Sequence, residues 1–197
     1  MIAATGNPEK MVEIRQILAD SDIELVTMKD AGLDLEIVEN GSTFEENSRI
    51  KASAVSHALP EQYKDAVVLA DDSGLEIDAL GGEPGVLSAR FMGENTPYTE
   101  KNAALLERMK DIPVEKRTAR FVCAVSAFWP DGTVRTVRGT IEGKIGYEPR
   151  GMNGFGYDPI FYLPDLSVST AELPPEEKNA VSHRGKALRA IAEYLKR

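Results

Sequence analysis

The chain has 197 residues, 42% hydrophobic and 28% charged, enough apolar material for one compact globular unit with a substantial core. A formal net charge of -9 excludes a broad nucleic-acid binder, which needs a basic face to displace phosphate counterions, and no apolar run approaches the roughly 20 residues of a membrane helix. The single cysteine, Cys123, excludes an intrachain disulfide and, in an alternating apolar run, is expected to be a small core residue rather than a nucleophile.

Met1 to Gly6 show no basic stretch leading into an apolar one, so the expectation is a cytoplasmic protein. Ile2 to Ala4 have the pattern of the end of a short strand, and Thr5-Gly6-Asn7-Pro8 that of a tight turn. A helix follows, with Met11, Ile14, Ile17 and Leu18 on one face, and Asp20-Ser21-Asp22 ends it. Ile23 to Thr27 suit a second strand. Thr43-Phe44-Glu45-Glu46 forms a capping box, Thr43 at the N-cap and Glu46 at N3, that opens an Ala-rich helix to about Leu59. Ala66 to Ala70 has the form expected of a buried strand, ending at the turn-forming Asp71-Asp72-Ser73-Gly74.

Gly81-Gly82-Glu83-Pro84-Gly85 is a loop, and Tyr98 to Met109 a helix carrying Leu105, Leu106 and Met109. Thr118 to Phe128 alternates like a strand, Trp129-Pro130-Asp131-Gly132 supplies a turn, and Thr133 to Glu142 returns; this hairpin is expected in a second lobe. Pro149 to Asp158 is Gly-rich, and a final helix starts near Ser182 with Leu188, Ile191 and Leu195 inward. Alternating strands and helices indicate an α/β core, and with no repeats or linkers the two lobes are expected to share a cleft.

Four segments carry chemistry. Thr5-Gly6-Asn7-Pro8-Glu9-Lys10 puts a glycine turn at a helix start, where backbone N–H groups, the helix dipole and the Lys10 ammonium can hold phosphate; the Walker A spacing is absent, and an ordinary turn with a surface lysine is the plain alternative. Asp71 and Asp72 present diverging carboxylates, one able to bind magnesium and accept a proton from water, and Glu39 could share the ion; the plain alternative is a strand end. Phe155-Gly156-Tyr157-Asp158 offers aromatic faces for stacking on a purine and a carboxylate for its edge. Lys178, His183 and Arg184 place cations before and at the mouth of the last helix.

Six blocks, in order along almost the whole chain, resemble the inosine triphosphate pyrophosphatase family. They are Thr5-Gly6-Asn7 with Lys10, Thr43-Phe44-Glu45-Glu46-Asn47, Ala70-Asp71-Asp72-Ser73-Gly74-Leu75, Gly81-Gly82-Glu83-Pro84-Gly85, Gly154-Phe155-Gly156-Tyr157-Asp158-Pro159 and Ser182-His183-Arg184. The resemblance implies one α/β domain over residues 1–197: two lobes around a long central mixed β-sheet with flanking helices and a substrate cleft between the lobes. It also implies a homodimer, and Mg²⁺-dependent hydrolysis of ITP, dITP and XTP to the monophosphate and pyrophosphate.

By position, Thr5, Gly6, Asn7, Pro8, Glu9, Lys10, Ser73 and Lys178 resemble the triphosphate contacts. Phe155, Gly156, Tyr157, Asp158, His183 and Arg184 resemble the base pocket, Glu39 and Asp72 the metal carboxylates, and Asp72 also the proton acceptor; Lys51 resembles a further family lysine. A 6-oxo purine accepts where adenine donates, so donors such as Arg184 and His183 would be left unpaired by ATP. The rival readings are a nucleotide sensor without turnover and a pyrophosphatase for other nucleotides.

Overall fold

The computed structural model describes residues 1–21, 23–164 and 167–195. The chain divides into two compact units: unit 1 is Met1–Asp72, Cys123–Gly139 and His183–Arg197, and unit 2 is Ser73–Val122 and Thr140–Ser182. The strands are β1 (Ile2–Ala3), β2 (Val26–Thr27), β3 (Val68–Ile77), β4 (Thr118–Phe128), β5 (Val134–Ile145), β6 (Phe161–Leu163) and β7 (Val168–Ser169). They form one sheet in the order β2-β1-β3-β4-β5-β6-β7. β1 pairs in parallel with β2 and β3, and β6 antiparallel with β5 and β7, so the sheet is mixed, as expected.

The helices are α1 (Pro8–Ile17), α2 (Phe44–His57), α3 (Tyr98–Arg108), α4 (Pro175–Val181) and α5 (His183–Leu195). Helix α1 starts where expected because Asn7 accepts from the Lys10 N–H at 3.0 Å and Pro8 supplies a preset first-turn φ. Of its proposed stop signal, Asp22 lies outside the described residues. In the capping box of α2, Thr43 Oγ1 accepts from the Glu46 N–H at 3.1 Å, while the Glu46 carboxylate reaches one residue further back, to the Ser42 N–H at 2.6 Å.

Unit 1 has two apolar layers set by the two-residue alternation of its strands. Leu69, Cys123 and Val125 pack with Ile14 of α1, with Leu18 at its C-cap, and with Leu188 and Ile191 of α5. Val68 and Ala70 pack with Ala52 and Val55 of α2. Unit 2 has its own core, in which Leu75, Ile77, Phe121, Ile145 and Phe161 meet Leu105 and Met109 from α3 and its C-cap. Each fully buried Leu or Ile contributes about 1.5–3 kcal/mol.

Three expectations are corrected. The strand after Ala66 does not end at Asp71-Asp72-Ser73-Gly74; β3 runs through all four residues to Ile77. Buried cations meet both carboxylates, so the strand carries them without breaking. The β4–β5 hairpin is not confined to one unit: its turn half, Cys123–Gly139, belongs to unit 1 and its base to unit 2. The strand expected over 23–27 is only Val26–Thr27. Strands β6 and β7 and helix α4 went unforeseen because they are short and lack a distinct periodicity.

Candidate active site

Unit 1 gathers its charged side chains on the two faces of β3. Successive strand residues point to opposite sides, so Asp71 joins Leu69 on the α1/α5 face and Asp72 joins Ala70 on the α2 face. Asp71 is 3.1 Å from Lys10 Nζ and accepts from Arg184 Nη2 at 3.3 Å and Nε at 3.4 Å. Arg184, 2% exposed, also pairs with Glu13 of α1. Burial alone would raise the Asp71 carboxyl, but the charges of Lys10 and Arg184 overcome it and hold the group well below the usual carboxylate range. Cys123 lies on this face, fully buried, with its thiol pushed up to about 12 by burial and by Asp71; it is the core residue the sequence implied.

On the other face, Lys51 of α2 bridges two carboxylates, with Nζ 3.1 Å from Glu39 Oε2 and 3.3 Å from Asp72 Oδ1. Burial works against its charge, yet Asp72, Asp71 and Glu39 together raise its pKa, so Lys51 stays an ammonium. Asp72 shifts the opposite way to its neighbour: burial raises it and Lys51 and Lys10 offset this only in part. Its second oxygen, Oδ2, is buried with no hydrogen-bond partner. Asn47, whose Nδ2 is likewise buried, is near enough to that carboxylate to lower it slightly as a weak donor.

The unbonded Asp72 oxygen and the half-exposed Glu39 carboxylate make a set of hard oxygen donors. Among the described residues no group of three or more His, Cys, Asp or Glu converges to cage an ion. Magnesium is commonly held by one or two carboxylates plus substrate phosphate and water, so two carboxylates fit it.

The turn before α1 behaves partly as expected. Asn7 N–H donates to Thr5 Oγ1 at 3.2 Å, Asn7 itself caps the helix, and Glu9 adds an acidic group to the first turn. Pro8 has no N–H and the Lys10 N–H is taken by Asn7, so the turn offers fewer backbone donors than a bare helix start. Gly6 has open space where a Cβ would stand. Ser73 is half-buried on β3 and shares by alternation the Asp71 side rather than that of Asp72.

Unit 2 holds the aromatic loop. Asp158, 2% exposed, closes it: Oδ2 accepts from the Phe155 N–H at 2.8 Å and from Lys178 Nζ, and Oδ1 accepts from Thr170 Oγ1 at 2.8 Å. The carboxylate expected to read a base edge is thus also the brace of its own loop. Lys178 lies 5.1 Å over the Phe155 ring, which groups it with the aromatic loop, whereas the sequence placed it with the phosphate contacts. Gly154 makes the bend possible: its φ is +70°, and a Cβ there would stand 2.2 Å from Asp158 Oδ2 and 2.8 Å from Lys178 Nζ. Tyr157 is buried, its hydroxyl donating to Ser88 O at 2.7 Å, and its phenol is raised by burial.

Two further residues of the expected base pocket belong to unit 1. His183 is the first residue of α5 and is buried, and Arg184 is anchored on Asp71 and Glu13. Sequence reasoning missed Glu13, Asn102 and Tyr98. A signal existed for Glu13: an acid between Met11 and Ile14, three residues after Lys10, on a helix face that must bury. Asn102 and Tyr98 gave none, because their partners lie 54 and 59 positions away in the aromatic loop.

A family model described as the Ham1 family matches residues 1–194. The dITP/XTP pyrophosphatase of Exiguobacterium sibiricum is 48% identical over 195 residues, spanning 99% of this chain and 96% of its own length. That of Bacillus subtilis is 45% identical over 194 residues, spanning 98% and 96%. The solved structure of the Staphylococcus aureus Ham1 protein matches with a TM-score of 0.86 at 38% identity, covering 99% of this chain and 97% of that one. With matches in sequence and in fold that run from end to end, the chain belongs to the Ham1 family.

Proposed function

We propose that this protein hydrolyses deaminated purine nucleoside triphosphates, ITP, dITP and XTP, to the monophosphate and pyrophosphate, with Mg²⁺ as cofactor. The observation that carries the chemistry is Asp72, a buried carboxylate with one oxygen on the Lys51 ammonium and the other in no close hydrogen bond among the described residues. The names of relatives at 45 and 48% identity support the substrate class.

Glu39 and Asp72 would hold the magnesium ion, which supplies charge neutralisation to the phosphates when bound. Asp72 accepts a proton from the attacking water; burial raises its carboxyl above the ordinary aspartate range, which makes it a better base than an exposed carboxylate. Lys10 and Lys51, each held by carboxylates until substrate arrives, turn to the phosphate oxygens and stabilise the leaving pyrophosphate, with Thr5, Gly6, Asn7 and Ser73 beside them. Phe155 supplies a face for the base, and Lys178, fixed by Asp158, a donor for its 6-oxo group. His183 and Arg184 complete the proposed contacts from the start of α5.

The test is purified protein with Mg²⁺ and a panel of nucleoside triphosphates, with pyrophosphate and monophosphate measured separately. ITP or XTP is expected to exceed ATP by at least about 100-fold in kcat/KM. Equal rates on ATP, or release of orthophosphate and a diphosphate, would overturn the reading. A homodimer in the cytoplasm is part of the same proposal: no described helix is long and apolar enough to cross a membrane, and light scattering on the eluted protein decides the oligomer.

A further inference from the structure

Both ends of the aromatic loop are tied down within unit 2. At one end the Asn153 N–H donates to Ala171 O at 2.9 Å and its Nδ2 to Leu173 O at 3.0 Å; at the other Asp158 binds Thr170 and Lys178. Between them lies the Gly156–Tyr157 peptide, beside the ring proposed to meet the base. Its carbonyl is held from outside the loop by Asn102 of α3, whose Nδ2 donates to Gly156 O at 3.1 Å.

Asn102 is costly where it stands. It is 6% exposed, and its Oδ1 is buried with no hydrogen-bond partner among the described residues, so the acceptor side of the amide is left unsatisfied there. A leucine of similar size would fill the volume without an orphaned acceptor. The remainder of α3 is anchored by other means: at its C-terminal end Arg117 donates to Met109 O and, at 3.3 Å, to Ile112 O, and near its start Lys101 Nζ donates to Ala89 O at 2.7 Å. The Tyr98 ring packs edge-on against Tyr157, centroids 5.2 Å apart at 89°. The helix thus stays put without Asn102, and the bond this side chain makes serves the loop.

We propose that Asn102 is a positioning and specificity-determining residue: by fixing the Gly156 carbonyl it sets the tilt of the Phe155–Tyr157 segment against the purine, and so the preference for 6-oxo bases. The inference rests on the proposed nucleotide function for its substrate, not for its geometry. Gly156, at φ +70°, has no side chain to resist rotation of that peptide; Tyr157 is anchored on the far side by its hydroxyl on Ser88 O, and Asn102 holds the carbonyl itself.

The experiment compares wild type with Asn102→Leu, and with Asn102→Ala should the leucine variant not fold, by ITP and ATP kinetics and by amide hydrogen exchange. KM for ITP should rise about tenfold with kcat within about twofold, and the ITP-over-ATP preference should fall at least about fivefold. Exchange should quicken over 153–158 and not along α3. Unchanged KM and preference, or quicker exchange spread along α3, would show Asn102 to be ordinary scaffold and overturn the proposal. If wild type itself fails to prefer ITP, the functional reading falls while the exchange comparison still decides Asn102.

Discussion

Asp71 and Asp72 are neighbours in one strand, yet they meet different cations on opposite faces, Lys10 and Arg184 for the first and Lys51 for the second. The division predicts different consequences for the same substitution. Asp72→Asn removes charge and basicity at nearly constant size, and kcat should fall by about 10² to 10⁴ at saturating Mg²⁺. Asp71→Asn withdraws the acid from a buried ionic group and should cost about 3–5 kcal/mol of stability with a smaller loss of kcat. Urea unfolding and steady-state kinetics on both variants test the pair. An inactive but stable Asp71→Asn would exchange the two roles.

Acid sensitivity follows from the same group. The folded pKa of Asp71 is depressed, so its contribution to stability is complete above the ordinary aspartate value of about 3.9 and is lost as pH falls through the lower folded value. The urea midpoint of wild type should therefore drop more steeply below about pH 4 than that of Asp71→Asn. Parallel curves would mean that the Asp71 pairs contribute nothing to acid stability.

Lys51 sits between the two carboxylates proposed for the metal, as a resident cation. Lys51→Met leaves Glu39 and Asp72 facing each other without it. Nucleotide-free Mn²⁺ or Mg²⁺ affinity, by calorimetry, should then tighten by about tenfold, equivalent to about 1.4 kcal/mol, even as turnover falls. Weaker metal binding in this variant would show that Lys51 orders the carboxylates rather than competing for them.

Gly154 and Gly156 share φ +70° but not their surroundings, since a Cβ at Gly156 would meet Tyr98 only at 3.6 Å. Gly156→Ala should cost about 1–2 kcal/mol of backbone strain without a collision against its neighbours. Gly154→Ala adds a collision with Asp158 and Lys178 and should raise KM for ITP at least about tenfold. Thermal unfolding and KM measured side by side separate strain from displacement.

Much of this molecule was legible in its sequence because the signals were local. The turn before α1, the Thr43 cap, the β4 boundaries and the burial of Cys123 depend on residues within a few positions of each other. The path of the chain through Asp71-Asp72-Ser73-Gly74 was not legible: composition there indicates a turn, and the cations that let a strand carry two buried acids come from Lys10, Lys51 and Arg184. The same limit explains Arg184 and Lys178, whose partners, Glu13 and Asp158, were identifiable as acids but not as neighbours. The resemblance implied the residues of the proposed site, and the side-chain packing shows which of them pair with one another.

The bond from Arg184 to Asp71 spans 113 positions, and the one to Glu13 spans 171. During synthesis, therefore, the Asp71 carboxylate is made long before its guanidinium. A nascent chain that has not yet produced α5 has only Lys10 to balance that acid among these two cations, and lacks the Ile191 and Leu188 layer over α1. Unit 1 thus acquires its Arg184 pairs and its Leu188 and Ile191 layer only with the last helix: the segment that would hold the triphosphate and the segment that completes its support lie at opposite ends of the message.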